Sequence, residues 1–128
     1  MKQILAVGLG GFIGAVSRYT LGGFVDRLIQ EKLQRPLPAG TFVVNALGCL
    51  FIGALMTYLQ SREYPDAVRL FLVTGILGSL TTFSTFGYDT ITLLQKNELG
   101  VASGYVVANL VVGFCFVWLG MLAAKTLT

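Results

Sequence analysis

The fold is decided by the stretch Gly75-Ile-Leu-Gly78-Ser79-Leu80-Thr81-Thr82-Phe83-Ser84-Thr85-Phe86-Gly87. Five hydroxyl residues, three glycines and two phenylalanines fall within these thirteen positions, in the middle of a segment otherwise apolar enough to span a membrane. Glycine and clustered Ser/Thr residues weaken a helix. Non-helical backbone at membrane depth is tolerated only where it is buried in protein or lines a watery cavity. The stretch therefore predicts an interrupted helix at a candidate ion site.

The composition of the whole chain indicates a membrane protein. Of its 128 residues, 55% are hydrophobic and only 12% are charged, and the mean hydropathy is +0.76. A soluble domain carries about 25% charged residues, so this chain has too little polar surface to cover a soluble globule. A transmembrane helix needs about 20 apolar residues, which leaves room for four. We predict an all-α membrane protein, a single domain over residues 1–128 with spans at about 4–25, 39–59, 67–94 and 100–124.

Several classes of protein are disfavoured by what the chain lacks. Histidine is absent, which removes the commonest metal ligand and the usual proton-transfer group at neutral pH. Cys49 and Cys115 lie in apolar segments, where buried thiols are expected rather than a disulfide or a metal site. The net charge of +3 comes from dispersed basic residues, so we expect no nucleic-acid partner. No small-residue cleavage site follows the first apolar stretch, so we expect no cleavable signal peptide.

The basic residues at the ends of the spans are evenly divided between the two sides of the membrane. Four lie on the side of the chain termini and four on the opposite side: Lys2, Arg62, Arg69 and Lys125 against Arg27, Lys32, Arg35 and Lys96. Orientation normally follows an excess of Lys and Arg on the cytoplasmic side. The tie predicts insertion in both orientations, which allows two oppositely oriented copies to pair as an antiparallel dimer. The alternative is that small positional effects favour one orientation.

Glycines four residues apart predict two seams of close helix packing, at Gly10 and Gly14 in the first span and at Gly100 and Gly104 in the fourth. This spacing lets helix backbones approach each other in lipid.

Four polar residues within the spans are candidate functional groups, because polar groups in a membrane usually face the bundle interior or a water-filled cavity. Arg18 either attracts anions to a vestibule or reaches toward an interface. Asn45 and Asn109 either face a pore or bond a neighbouring helix, and Tyr105 shares the face of Asn109. Asp89 is the only carboxylate deep in a predicted span, unless it simply approaches the interface.

Two phenylalanines three residues apart, Phe83 and Phe86, lie on one helix face. Spacing alone favours core packing. Their polar neighbours favour an ion path instead, because the positive edge of a phenyl ring can face a small anion while donors replace its water. Ser84, Thr85 and Asn45 are donors of that kind. Backbone carbonyls freed by the interruption would suit a small hard cation; the alternative is a plain packing kink.

Three motifs resemble the Fluc (CrcB) family of fluoride channels. They are GGFIGAVSRY at residues 10–19, GTFVVNALGC at residues 40–49 and GILGSLTTFSTF at residues 75–86, and the resemblance extends over essentially the whole chain. It implies passive, fluoride-selective efflux that lowers cytoplasmic fluoride and confers resistance, by a channel and not an enzyme. It implies a multi-pass protein of the inner or plasma membrane, assembled as an antiparallel, dual-topology homodimer with two separate pores.

The resemblance also implies roles for individual residues. Phe83, Phe86 and Asn45 match pore-lining positions, Arg18 matches an arginine near the aqueous entry, and Tyr105 matches the start of a polar track on the fourth span. This chain continues the track with Asn109 and then Gly113, so that water, Ser84 or Thr85 would complete it. The backbone carbonyls of Gly78 and Thr81 match a structural sodium site at the dimer interface, for which the backbone at Gly78 would unwind and approach the partner.

Two rival classes remain open on the sequence alone. A proton-coupled small multidrug exporter also has four short spans, but it needs a membrane-embedded carboxylate, for which Asp89 is the only candidate. A non-transporting assembly subunit is the other class. Fluoride flux from purified protein in liposomes separates the three classes.

Overall fold

Four helical segments of the computed structural model are long and apolar enough to cross a membrane, as the sequence predicts. The structure describes residues 1–34 and 36–126, so Arg35 of the charge count lies outside the described residues. The helices are α1 (Lys2–Leu33), α2 (Ala39–Gln60), α3 (Asp66–Arg69), α4 (Gly78–Leu80), α5 (Phe83–Gln95) and α6 (Leu99–Lys125), with a π-helix at Leu70–Leu77. The third span, Asp66–Gln95, therefore comprises α3, the π-helix, α4 and α5.

Helix α1 is longer than the sequence predicts. The polar connection expected to begin at Asp26 is helical as far as Leu33, and the helix ends at Gln34, which has a left-handed φ of 51°. The helix continues past the predicted span because these polar residues include no Gly or Pro, and Lys, Glu, Gln and Leu are strong helix formers. At 1.5 Å per residue α1 is about 48 Å long, so it extends beyond a hydrocarbon core about 30 Å thick.

The backbone of the third span changes type along its length. The π-helix bonds i to i+5 instead of i to i+4 and leads directly into α4, where Gly78 has helical angles (φ −63°, ψ −28°). Thr81 (φ −80°, ψ 153°) and Thr82 (φ −150°, ψ 117°) are extended. The expectation of unwound backbone at Gly78 is therefore wrong. The helix continues past it because the N–H and the hydroxyl of Thr81 both donate to the Leu77 carbonyl, at 3.1 and 3.0 Å.

Glycines on α1 let it pack backbone-to-backbone against the third span. A Cβ added at Gly10 would collide with the Phe71 carbonyl oxygen, and one added at Gly14 would collide with that of Ile76. This confirms the predicted seam at Gly10 and Gly14. A helix with larger residues at these positions would hold the π-helix away from α1.

Helices α2 and α6 form a second glycine seam. A Cβ added at Gly53 of α2 would collide with the Val117 carbonyl oxygen, and one added at Gly120 of α6 would collide with that of Leu50. Each helix thus contributes one glycine to a contact with the other helix's backbone. Van der Waals packing of this kind is a main source of helix association in lipid.

The apolar side chains divide between a small core and a large exterior. Val44, Leu77 and Leu80 are buried together at the centre of the bundle. Phe12 and Trp118 remain 71% and 61% exposed. Such an exterior suits a lipid-facing surface and would be an aggregation hazard in water.

The two thiols differ in burial. Cys49 is half-buried, whereas Cys115, predicted to be buried, is exposed because it faces outward from α6.

Replacement of Gly120 by alanine tests the α2–α6 seam. We expect Gly120→Ala to cost about 1–3 kcal/mol of stability, because the added methyl group overpacks a backbone contact. Gly100→Ala on the same helix is the control, because a Cβ added at Gly100 meets nothing within 4 Å. The same holds for Gly104, so the seam predicted at these two glycines is not found within the described residues of a single chain. Thermal unfolding in detergent measures the difference; equal midpoints for the two variants would contradict the seam.

Candidate functional site

An asparagine on α2 holds the extended backbone of the third span. The Asn45 amide donates from Nδ2 to the Thr82 carbonyl oxygen at 3.1 Å, and the Thr82 N–H donates to Asn45 Oδ1 at 2.8 Å. In an uninterrupted α-helix the Thr82 N–H would instead bond the Gly78 carbonyl. Asn45 therefore satisfies both backbone groups of Thr82, whose burial would otherwise be costly.

A glycine one turn along α2 gives the extended residues room to approach. A Cβ added at Gly48 would collide with the Thr81 methyl group. Gly48 and Asn45 are three residues apart and thus on one face of α2. That face combines a space for Thr81 with a hydrogen-bonding partner for Thr82, which fixes both residues.

Thr82 also caps the helix that follows it. Its hydroxyl accepts from the Thr85 N–H at 3.3 Å and lies 3.2 Å from the Ser84 hydroxyl and 3.1 Å from the Thr85 hydroxyl. Threonine is a favoured residue at a helix N-cap. The Ser84 and Thr85 hydroxyls, predicted as pore donors, are therefore engaged around this cap.

Three aromatic rings follow the cap along one side. The Phe83 and Phe86 ring centroids are 5.6 Å apart with the planes inclined by 50°, and the Phe86 and Tyr105 centroids are 5.5 Å apart at 40°. Tilted pairs of this kind point the positive edge of one ring toward the negative face of another. Phe83 is 83% exposed, so one end of this row is open at the surface of the chain.

A polar cluster lies at the Tyr105 end of the row. The Thr41 hydroxyl donates to Asp89 Oδ2 at 2.9 Å, and the Tyr105 hydroxyl donates to the same oxygen at 3.4 Å. Three segments distant in sequence thus meet at one carboxylate oxygen. Asn109 lies one turn further along α6, where its Nδ2 donates to the Tyr105 carbonyl at 2.9 Å.

An open groove of about 400 Å³ runs beside the extended residues and the phenylalanines. Its lining includes three phenylalanine rings and four polar side chains: Phe83, Phe86, Phe114, Asn45, Thr81, Thr82 and Asn109. Among the described residues, no Asp, Glu, Lys or Arg lines it. The groove is therefore uncharged and mostly apolar, with phenylalanine rings and a few hydrogen-bonding groups among its aliphatic side chains.

A model of the family described as CrcB-like protein, Camphor Resistance (CrcB), matches residues 5–121. The chain belongs to the CrcB family.

Curated members of this family resemble the chain over nearly its full length. Each of the following is named a fluoride-specific ion channel FluC. The protein of Methylobacillus flagellatus is 42% identical over 98% of this chain and 96% of its own length. That of Chloroflexus aurantiacus is 43% identical over 94% of both chains. One of Methanosarcina barkeri, FluC 3, is 38% identical over 97% of this chain and 91% of its own.

In this member of the CrcB family, the arginine of α1 lies beside the extended residues. Arg18 is partly buried, and its Nη1 donates to the Thr81 carbonyl at 3.4 Å. Gly78, the other carbonyl predicted to hold a cation, is exposed and one helical turn away. Diversion of the Thr82 N–H to Asn45 removes the usual i+4 donor of the Gly78 carbonyl.

The structure thus brings most predicted site residues together and adds others. Asn45, Phe83, Phe86 and Asn109 line one groove, and Tyr105 contacts it through Phe86. Sequence reasoning did not identify the roles of Thr82 and Thr41. Both carry signals in the sequence: Thr82 immediately precedes a helix as N-caps do, and Thr41 lies four residues before Asn45, on the same face of α2.

Replacement of Asn45 by alanine tests the pairing with Thr82. We expect Asn45→Ala to lower stability by about 2–6 kcal/mol, because it leaves two backbone groups without partners at about 1–3 kcal/mol each. Amide hydrogen exchange at Thr82 should rise in parallel. Cys49→Ala, one turn further along α2 in the same groove, is the control and should change exchange at Thr82 little; unchanged protection of Thr82 in Asn45→Ala would contradict the pairing.

Proposed function

We propose that this chain conducts fluoride passively through the groove beside Asn45, Phe83 and Phe86, and so lowers fluoride in the cytoplasm. The observation that carries the proposal is the neutral, ring-lined groove against the extended residues of the third span. The named activity of its relatives, fluoride-specific ion channels at about 40% identity, supports it.

The chemistry of the groove suits a small, strongly hydrated anion. Fluoride entering a membrane must exchange its water for donors and for the positive edges of aromatic rings. The Thr41 and Tyr105 hydroxyls lie at one end of the ring row, where each donates to Asp89 and would have to turn from it to donate to fluoride. Phe83 and Phe86 supply ring edges. Chloride is larger and less strongly hydrated, so a narrow donor-lined path fits it poorly.

We propose that the working unit is an antiparallel, dual-topology homodimer with two pores in the inner or plasma membrane, and that the extended residues lie near the middle of the membrane. Two observations support this. Equal numbers of basic residues flank the spans on the two predicted sides of the membrane. The groove and Phe83 are open to the outside of a single chain. An ion path that opens directly onto lipid is unfavourable, so cover by a second copy would account for both observations.

We propose a structural sodium ion at the dimer interface, held by backbone carbonyls of Gly78 and Thr81. Carbonyl oxygens are suitable ligands for a hard cation. The Gly78 carbonyl fits this role because its usual helical donor is bonded to Asn45. The Thr81 carbonyl accepts from Arg18 and keeps a second lone pair for the cation, although the nearby guanidinium charge would oppose its binding. A bound sodium would supply positive charge beside the anion path.

Arg18 is proposed to attract fluoride toward the groove from an aqueous vestibule. Its guanidinium is only partly buried and lies next to the extended residues, at 3.4 Å from the Thr81 carbonyl. A fixed positive charge at the mouth of a pathway raises the local concentration of anions.

The exporter alternative lacks support. An exporter needs a carboxylate free to alternate between a proton and a cationic substrate, whereas Asp89 Oδ2 accepts from both Thr41 and Tyr105. The matching relatives are named as channels for an anion.

Replacement of either phenylalanine by isoleucine tests the role of the rings. We expect Phe83→Ile or Phe86→Ile to lower fluoride efflux from liposomes by roughly tenfold or more, because an aliphatic group has no positive edge. Phe12→Ile, at an exposed position on α1, is the control and should conduct normally. A fluoride electrode measures efflux, with chloride efflux measured alongside. Wild-type liposomes without fluoride flux would refute the channel itself.

Enlargement of Gly78 tests the proposed dimer interface. Gly78 is exposed, and a Cβ there would approach only the Val73 carbonyl oxygen, at 3.6 Å. An added Cβ at this position therefore fits the single chain, and loss of the dimer on enlarging it would point to the partner. We expect Gly78→Leu to dissociate the dimer in detergent, measured by light scattering, while Gly8→Leu does not. A fully dimeric Gly78→Leu would contradict both the interface and the sodium site.

A further inference from the structure

Helix α2 begins without a capping side chain of its own. Pro38 occupies the N-cap position and its side chain accepts no hydrogen bond, and the Ala39 N–H is bonded to the Leu37 carbonyl at 2.8 Å. The first N–H groups of a helix have no acceptor within it. Side chains, water or other parts of the protein satisfy them.

A carboxylate on α1 supplies one of these partners. The Gly40 N–H donates to Asp26 Oδ1 at 2.7 Å across fourteen residues of sequence. The second carboxylate oxygen lies beside the same residue, since a Cβ added at Gly40 would be 2.7 Å from Asp26 Oδ2 and would collide with the Gly22 carbonyl oxygen. The two helices therefore touch here through glycine, which places an anionic group at the positive end of α2.

The residue after Gly40 belongs to the polar cluster of the groove. Thr41 donates its hydroxyl to Asp89, 2.9 Å away, from the first turn of α2. First turns fray when their N–H groups lack acceptors. Asn45 lies one turn further on and is fixed by its own two hydrogen bonds to Thr82. A loosened helix start would therefore displace Thr41 and leave Asn45 in place.

We propose that Asp26 is a positioning residue for fluoride conduction, which acts through the Gly40 N–H to keep the Thr41 hydroxyl directed at Asp89. The inference rests on the proposed function, and it extends the site to a residue of α1 that does not line the groove. Asp26 acts here as a hydrogen-bond acceptor. Its charge is therefore not essential, and the amide oxygen of asparagine can replace the carboxylate oxygen.

Two substitutions at Asp26 and one control test the role of the acceptor. We expect Asp26→Ala to lower fluoride efflux from liposomes by about tenfold, because the roughly 1.4 kcal/mol that one helix cap contributes corresponds to a tenfold change in rate. We expect Asp26→Asn to retain most of the wild-type rate. The control is Glu31→Ala, which removes an exposed carboxylate from the same end of α1 and should conduct normally. Normal efflux in Asp26→Ala, or equal losses in Asp26→Asn and Asp26→Ala, would overturn the inference.

A double variant tests whether Asp26 acts through Thr41. If it does, Asp26→Ala should lower efflux by less than about twofold in a Thr41→Val background, because two residues acting on one step are not additive. A merely structural role would give the same fold-loss in both backgrounds, which would overturn the inference.

Hydrogen exchange separates failure of this inference from failure of the proposed function. Asp26→Ala should raise amide exchange at the start of α2, at residues 40–42, and leave Thr82 protected by Asn45. This readout does not depend on fluoride. Absence of fluoride flux from the wild type would refute the proposed function even if exchange rises as expected, whereas unchanged exchange at residues 40–42 would overturn the role of Asp26 even if the wild type conducts.

Discussion

The pairing of Asn45 with the backbone of Thr82 is the interaction on which the rest of the site depends. A chain in lipid must satisfy every backbone N–H and C=O internally, and two extended residues inside a span violate the helical way of doing so. The Asn45 side-chain amide satisfies the extended backbone at Thr82, because its N–H donates to the Thr82 carbonyl and its oxygen accepts from the Thr82 N–H, as the backbone of a neighbouring β-strand would. The cap on α5 and the loss of the Gly78 carbonyl's helical donor both occur at that one anchored residue, Thr82.

The sequence predicted the elements that depend on local pattern. Apolar length identified four spans, the glycine spacing at Gly10 and Gly14 identified a real seam, and the expense of a polar group in lipid singled out Asn45. The sequence did not predict contacts that unite distant segments, such as Thr41 with Asp89. It also gave the end of the first span and not the end of α1, which continues through the polar residues that follow because they are strong helix formers.

The sequence also did not predict which residues of the third span are extended. Glycine and hydroxyl residues weaken a helix over the whole stretch, so composition alone does not say where it yields. The Thr81 hydroxyl and N–H both close onto the Leu77 carbonyl, which keeps Gly78 helical. The helix is then interrupted at Thr82, whose backbone is bonded to Asn45 on another helix. Similarly, the groove combines apolar side chains, phenylalanine rings and uncharged polar groups from several helices, and this combination is a property of the assembled helices.

The π-helix at Leu70–Leu77 has a consequence for how the chain tolerates change in length. Wider turns accommodate residues that an α-helix of the same height would not, and each residue of an α-helix advances the helical direction by about 100°. A turn closed from i to i+5 holds one residue more than a turn closed from i to i+4, so loss of a single residue there would restore ordinary turns and leave Gly78, Thr81 and the phenylalanines facing nearly the same way. The π-helix therefore marks a place where the chain can shorten by one residue without turning the site away from α2, provided that Gly75 keeps its contact with Gly10.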